Sequence, residues 1–400
     1  RSIDRLQNAL RLGCTSHCIA LKTVVPQHCA MSVAPMMSSS RLRDLQAFDD
    51  TNAGVKGLVD AGVTTLPSFF HHPPQNLPKP VHDSPGRSFT IPVIDLAGVT
   101  TADPARRAEL VGEVLAAANK FGFFQVLNHG VPEAAMSGML AAVRRFNEEP
   151  VEVKRAYYTR DHGRSVRYHC NQDLFRASAA KWRDTVYLEM APTEPSPEEI
   201  PAALRGVAAE YTQQVRRLGI TLLELLSEAL GLRSGYLEEE AGCLDWILVG
   251  AHYYPACPEP QLTMGATTHS DYSFLTVLLQ DAVGSGALQV LVQEEEGEGR
   301  WAAVHAVPGA LVVNIGDFLQ LISNDRFKSV QHRVVSKKEG PRASVACFFQ
   351  TYGAAAATKV CAPIVFPDGT PPVYKSATVE ELVVTFWAKN GHATLDHFRL

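Results

Sequence analysis

The sequence predicts a mainly β core with flanking helices, a double-stranded β-helix (jelly roll), and three observations carry the prediction. From Trp246 onward the chain runs as short segments rich in β-branched and aromatic residues, separated by Gly, Pro and acidic turns, the pattern of strands joined by short connections. Eight or so such strands make a jelly roll. Upstream of Trp246 the apolar residues recur at the three-to-four spacing of helices that pack on the outside. The composition, 46% hydrophobic and 20% charged in 400 residues, supplies apolar surface for a sizeable core.

Taken in order, residues 1–43 carry Asp4 as their acidic residue against Arg1, Arg5, Arg11, Lys22, Arg41 and Arg43. Such a bias marks some organellar transit peptides. The stretch reads better as a disordered extension, with residues 1–30 upstream of a natural start at Met31, Met36 or Met37. Residues 44–235 then form an N-terminal region of helices and strands, and residues 236–400 the jelly-roll domain. Pro73, Pro74, Pro78, Pro80, Pro85 and Gly86 make 72–90 a surface linker into a first strand at 91–96. Residues 103–120 predict a helix: Pro104 suits its first turn, and Leu110, Val114, Leu115 and Ala118 share one face. Gly122 ends it. A second helix is expected at 133–147 and a long one at 207–230, where Tyr211, Val215, Leu218, Leu222, Leu225, Leu226 and Ala229 form a core stripe. The predicted strands of the roll are 246–254, 274–279, 287–292, 311–315, 329–335 and 343–350.

The net charge of −5, with Lys and Arg scattered, argues against a nucleic-acid partner, which needs a concentrated basic surface. The longest apolar runs, such as 274–279 and 310–315, are of strand length, far short of the roughly 20 residues of a spanning helix. No membrane partner is expected. Cys14, Cys18, Cys29, Cys170, Cys243, Cys257, Cys347 and Cys361 contain no Cys-x-x-Cys pair, which suits a reducing, cytoplasmic location without disulfides.

The chemistry-bearing pattern is His269-Ser270-Asp271 followed by His332. On a strand, side chains two apart share a face, so His269 and Asp271 can converge while His332 comes from a neighbouring strand. Two imidazoles and a carboxylate on one side of a metal ion are the facial triad of non-haem Fe(II) oxygenases. A His-x-Asp triplet alone is weak, and its neighbours strengthen it. Arg342 and Ser344 share a face of the next predicted strand and can grip a carboxylate, for which a guanidinium offers a matching fork. Tyr254, at the end of 246–254, adds a phenol near the same pocket.

With these motifs in order, the chain resembles the plant 2-oxoglutarate- and Fe(II)-dependent dioxygenases over residues 44–400. The match includes Ile91-Pro92-Val93-Ile94-Asp95-Leu96, the run from Phe121 through Asn128-His129-Gly130-Val131, Tyr253-Tyr254-Pro255, Asn314-Ile315-Gly316-Asp317 and Arg342-x-Ser344. Phe48-Asp49-Asp50-Thr51, the segment 54–60 and the terminal Leu395-Asp396-His397-Phe398-Arg399-Leu400 are similar to the branch of 1-aminocyclopropane-1-carboxylate oxidase homologues. The resemblance implies Fe(II) held by His269, Asp271 and His332, and 2-oxoglutarate as co-substrate held by Arg342, Ser344 and Tyr254. It also implies ascorbate as an activator, O2 and a small plant specialised metabolite as substrates, succinate and CO2 as by-products, and a monomeric protein. Relatives often carry Asn at the place of His252, which would replace the amide's hydrogen bond or make turnover pH-sensitive near neutrality. By position, Tyr168, Phe175, Phe348 and Gln350 are the candidate substrate contacts, each with a core-packing alternative. His129 and the pair His71-His72 read as structural.

Three other readings stay open on the residues. An ethylene-forming oxidase would use ascorbate and no 2-oxoglutarate, and the C-terminal segment 385–400 speaks against it. A jelly-roll binding protein without catalysis would have no need of an intact triad, and a zinc hydrolase would have no use for Arg342 and Ser344.

Overall fold

The computed structural model describes residues 38–78, 90–101, 103–293, 299–354 and 356–400. The expected extension at 1–37, the linker from 79 to 89, and Cys14, Cys18 and Cys29 lie outside them. Two helices open the described chain, α1 (Ser39–Asp50) and α2 (Gly54–Asp60). Helix α1 starts inside the stretch expected to be an extension, because Ser38 caps it through Arg41 N and Leu45 and Phe48 bury against Phe69, Phe70 and Trp182. Helix α2 has a distant cap: the Asp184 carboxylate accepts from Val55 N and Lys56 N, both at 2.8 Å. The expected linker is partly built too, since His72 is buried with its Nε2 3.0 Å from Ala180 O.

Strand β1 (Val93–Asp95) leads to α3 (Pro104–Lys120), capped by Asp103, then β2 (Phe123–Leu127), α4 (Glu133–Glu148) and α5 (Val151–Arg155). The hairpin β3 (Val166–Cys170) and β4 (Asp184–Ala191) precedes the long α6 (Val207–Ala229) and short α7 (Tyr236–Glu239). The remaining strands are β5 (Trp246–Tyr254), β6 (Met264–His269), β7 (Leu275–Gln280), β8 (Leu288–Val292), β9 (Arg300–Ala303), β10 (Leu311–Ile315), β11 (His332–Val335) and β12 (Arg342–Gln350). A short helix α8 (Asp317–Ile322) follows β10. The two-residue strands β13 (Val360–Cys361) and β14 (Ala377–Thr378) lead into α9 (Val379–Ala388), which starts with a capping box between Thr378 and Glu381.

These strands form the two sheets of a jelly roll. The larger has the order β1-β2-β10-β7-β12-β5-β4-β3 and the smaller β6-β11-β8-β9. The expected boundary between residues 235 and 236 therefore separates strands that hydrogen-bond in one sheet, since β1 to β4 precede it. Period-two alternation sorts the side chains of the central pair. Ala343, Val345, Cys347 and Phe349 of β12, with Ile247, Val249, Ala251 and Tyr253 of β5, join the core under α6. Arg342, Ser344, Phe348 and Gln350, with Leu248, His252 and Tyr254, face a cavity between the sheets. Gly219 lets α6 lie close to the sheet, because a Cβ there would come 2.8 Å from the Phe349 ring. Each large apolar side chain buried this way stabilises by about 1.5–3 kcal/mol. No described helix is long and apolar enough to cross a membrane.

Candidate metal and co-substrate site

His269 ends β6, and Asp271 sits just past it rather than within the strand. His332 begins β11 as the direct partner of His269. The Asp271 Oδ1 lies 3.7 Å from His269 Nε2 and 3.6 Å from His332 Nε2, and the ligand atoms of the three residues all fall within 4.8 Å of one another. No other cluster of metal-ligating side chains appears among the described residues.

Each imidazole is oriented by its own backbone. His269 Nδ1 is 2.7 Å from Thr267 O, and His332 Nδ1 is 3.1 Å from Val330 O. A carbonyl can only accept, so Nδ1 carries the proton and Nε2 presents its lone pair toward Asp271. Burial, then the neighbouring His332, hold the His269 pKa well below the usual imidazole value, with Asp271 opposing; the ring is neutral, as a ligand must be. Asp271 uses Oδ2 to accept from Thr276 Oγ1 at 2.7 Å and Asn314 Nδ2 at 2.9 Å, which leaves Oδ1 toward the two rings. Burial would raise its pKa, but His332 and His269, then Asn314 and Thr276, outweigh burial and keep it ionised.

The segment after α9 clamps this centre. Gly391 O accepts from Ser270 N at 3.0 Å and from Gln331 Nε2 at 3.2 Å, gripping a residue next to each ligand histidine. Gly391 sits at φ +72°, and a Cβ on it would come 2.9 Å from His269 Cβ.

At the other end of the cavity, Arg342 is a direct cross-strand partner of Tyr254, and Ser344 of His252. The Arg342 guanidinium donates to Ser344 Oγ and Gln280 Oε1, both at 3.1 Å, and its carbon lies 4.9 Å from the Tyr254 ring centroid. Its Nε and the Gln280 Nε2 are buried without an acceptor. The Tyr254 phenol shares hydrogen bonds with Arg183 and Ser344; burial would raise its pKa, yet Arg183 and Arg342 outweigh burial and lower it.

His252 has its Nδ1 3.1 Å from Thr185 Oγ1. Burial, then Arg183 and Arg342, hold its pKa well below the ordinary histidine value. The expected pH-sensitivity near neutrality therefore has no titrating group at this position. Phe348 and Gln350 line the cavity. Tyr168 and Phe175 do not: Tyr168 is fully buried against Phe146 and Tyr158, and Phe175 packs on the α1 cluster beneath the Arg160 guanidinium. Their aromatic character reflects core packing. His129 is likewise structural, with Nε2 3.0 Å from Gly309 O. Thr276, Gln280, Arg183, Gly391 and the wall formed by Phe386 and Trp387 have no assigned role in the sequence reading.

Residues 248–351 match the 2OG-Fe(II) oxygenase superfamily, and residues 91–206 match the N-terminal region described as "non-haem dioxygenase in morphine synthesis". A relative, 1-aminocyclopropane-1-carboxylate oxidase homolog 1 of Arabidopsis thaliana, is 47% identical over 354 residues, 88% of this chain and 93% of that one. The chain belongs to the 2OG-Fe(II) oxygenases. Deacetoxyvindoline 4-hydroxylase of Catharanthus roseus is 43% identical, covering 92% of this chain and 91% of its own. Among solved structures, JOX2 in complex with 2OG, Fe and JA superposes with a TM-score of 0.72 at 27% identity, over 87% of this chain and 97% of that one. A rice dioxygenase for auxin oxidation (TM-score 0.63, 24% identity, 78% of this chain and 100% of that one) shares the fold. As a member of this family the chain is a 2-oxoglutarate- and Fe(II)-dependent oxidoreductase acting with O2 on a small molecule.

Proposed function

We propose that this oxygenase hydroxylates, or otherwise oxidises, a small plant specialised metabolite. His269, Asp271 and His332 would hold Fe(II). Arg342, Ser344 and Tyr254 would hold the distal carboxylate of 2-oxoglutarate. When bound, iron and co-substrate supply oxidative chemistry that consumes O2 and releases succinate and CO2.

The observation that carries the reading is the unfinished hydrogen bonding at Arg342. A buried donor without an acceptor costs about 1–3 kcal/mol, and here Arg342 Nε and Gln280 Nε2 are both left over beside a guanidinium. A carboxylate supplies the missing acceptors and the missing charge. At the triad, two lone pairs and a free carboxylate oxygen are the donor set for a divalent metal. The protein's own share is to orient these groups, to exclude water with Leu248, Leu278, Phe386 and Trp387, and to present the substrate along Phe348 and Gln350.

The dispersed charge supports the absence of a nucleic-acid partner; we read the protein further as a cytoplasmic monomer without a membrane partner, with ascorbate as an activator. The ethylene-forming alternative is not favoured, since the JOX2 structure contains 2OG and a hydroxylase stands among the relatives. The test is incubation of the protein with Fe(II), ascorbate, 2-oxoglutarate and a plant extract. Mass spectrometry should find a species that has gained one oxygen atom together with succinate; oxidation that proceeds without 2-oxoglutarate would refute the reading.

A further inference from the structure

The cavity contains a charge that neither the metal nor the co-substrate uses. On the assignment above, on which this inference rests, Asp271 serves the metal and Arg342 the distal carboxylate of 2-oxoglutarate. Lys181 is spent on Asp173, with its Nζ 2.7 and 2.6 Å from the two carboxylate oxygens. Arg183 is left. It lies just before β4, next to Asp184, whose carboxylate is engaged with the backbone of α2, and it lines the cavity with Tyr187. Its hydrogen-bond partner is the Tyr254 phenol. Among the described residues no ion pair is formed by it, and Asp173, whose charge does act on it, is already held by Lys181.

An arginine stays protonated in a protein, and Arg183 is half-buried on the cavity wall, where an opposite charge on a bound molecule would be favoured. The same cavity carries the aromatic side chains of Tyr187, Phe348, Phe386 and Trp387. We propose that Arg183 binds a carboxylate on the organic substrate, so that the substrate class is a flat, apolar carboxylic acid. A carboxylate fits better than a phosphoester, because one guanidinium fork matches a planar carboxylate, whereas a dianion would call on a second cation and Lys181 is already paired.

The test uses anaerobic protein loaded with Fe(II) and 2-oxoglutarate, which binds without turning over. It is titrated calorimetrically with 3-phenylpropionate, 4-phenylbutyrate and naphthalene-1-acetate, each against its own primary amide. At least one acid is expected to bind about tenfold or more tightly than its amide. Arg183→Gln should erase that preference and Arg183→Lys keep part of it, while 2-oxoglutarate, which loses only a neighbour of Tyr254, weakens far less than the probes. The proposal is overturned if no acid is preferred by the wild-type protein or if the preference survives in Arg183→Gln. It is also overturned if Arg183→Gln weakens 2-oxoglutarate as steeply as the probes, which would make Arg183 part of the co-substrate site. Wild-type protein that binds Fe(II) but no 2-oxoglutarate would instead refute the co-substrate assignment, and the acid–amide comparison on the Fe(II) protein would still read Arg183.

Discussion

His332 faces His269 directly across the β6–β11 pair, with ring centroids 4.2 Å apart, and each ring gives its Nδ1 proton to the carbonyl two residues before it. The metal site is thus a product of strand register plus two local backbone bonds, and the core does not depend on it. Changing His269, Asp271 or His332 to Ala should abolish turnover and metal binding. Melting temperatures should stay close to wild type, as read by circular dichroism. Full activity in any one of the three would remove that residue from the ligand set.

Thr276 and Asn314 hold the Oδ2 of Asp271 and so choose which oxygen faces the rings. Removing such an outer partner typically weakens metal binding about 10–100-fold. Thr276→Val and Asn314→Ala are each expected in that range in a Mn(II) titration, with the three ligands untouched. Affinities unchanged in both would show that Asp271 needs no orienting partners.

His252 has a pKa held well below the ordinary histidine value, first by burial and then by Arg183 and Arg342. Its folded-state imidazole is neutral at neutral pH, while the unfolded one takes a proton near pH 6.5. The unfolded state therefore binds more protons below that value, and stability falls as pH drops through about 6.5. The affinity for 2-oxoglutarate should stay flat between about pH 7 and 8 as far as His252 is concerned. His252→Asn should leave that pH profile unchanged and flatten part of the acid-side loss of stability; a His252-dependent inflection near neutrality would contradict the buried, neutral assignment.

Gly391 has room for no side chain on two counts, its left-handed backbone and the 2.9 Å approach of a new Cβ to His269 Cβ. A positive φ alone costs a non-glycine residue about 1–2 kcal/mol. Gly391→Ala should weaken metal binding by displacing His269, and it should lower stability because the C-terminal clamp on Ser270 and Gln331 is disturbed. Metal affinity equal to wild type would show that the clamp is independent of the triad.

Much of this was legible from spacing. Residues 246–254 and 311–315 read as strands and are β5 and β10, and the period of two along 342–350 correctly separates cavity from core. The triad and the Arg342–Ser344 pair come together because ligand chemistry restricts the residue types so severely. What stayed hidden depends on contacts between distant segments. Asp184 caps a helix 128 residues away in sequence, and Gly391 meets Ser270 only after α9 has folded back over the roll. A signal for Thr276 and Asn314 existed: each is a polar residue flanked by apolar ones inside a strand, where burial requires a partner. Tyr168 lies on β3, where an aromatic looks the same from either side of the sheet, and Phe175 in the turn region after it, where spacing assigns no face.

The most direct measurement is anaerobic titration of 2-oxoglutarate into the Fe(II)-loaded protein for wild type, Arg342→Lys and Arg342→Ala. Arg342→Ala would leave the distal carboxylate buried and unpaired, a penalty of about 3–5 kcal/mol, or roughly two to three and a half decades in affinity. Lysine should recover only part, since an ammonium lacks the fork. Affinity for 2-oxoglutarate is expected to fall steeply from wild type through Lys to Ala with Fe(II) binding nearly unchanged. Equal 2-oxoglutarate affinity in all three proteins would contradict the assignment of Arg342.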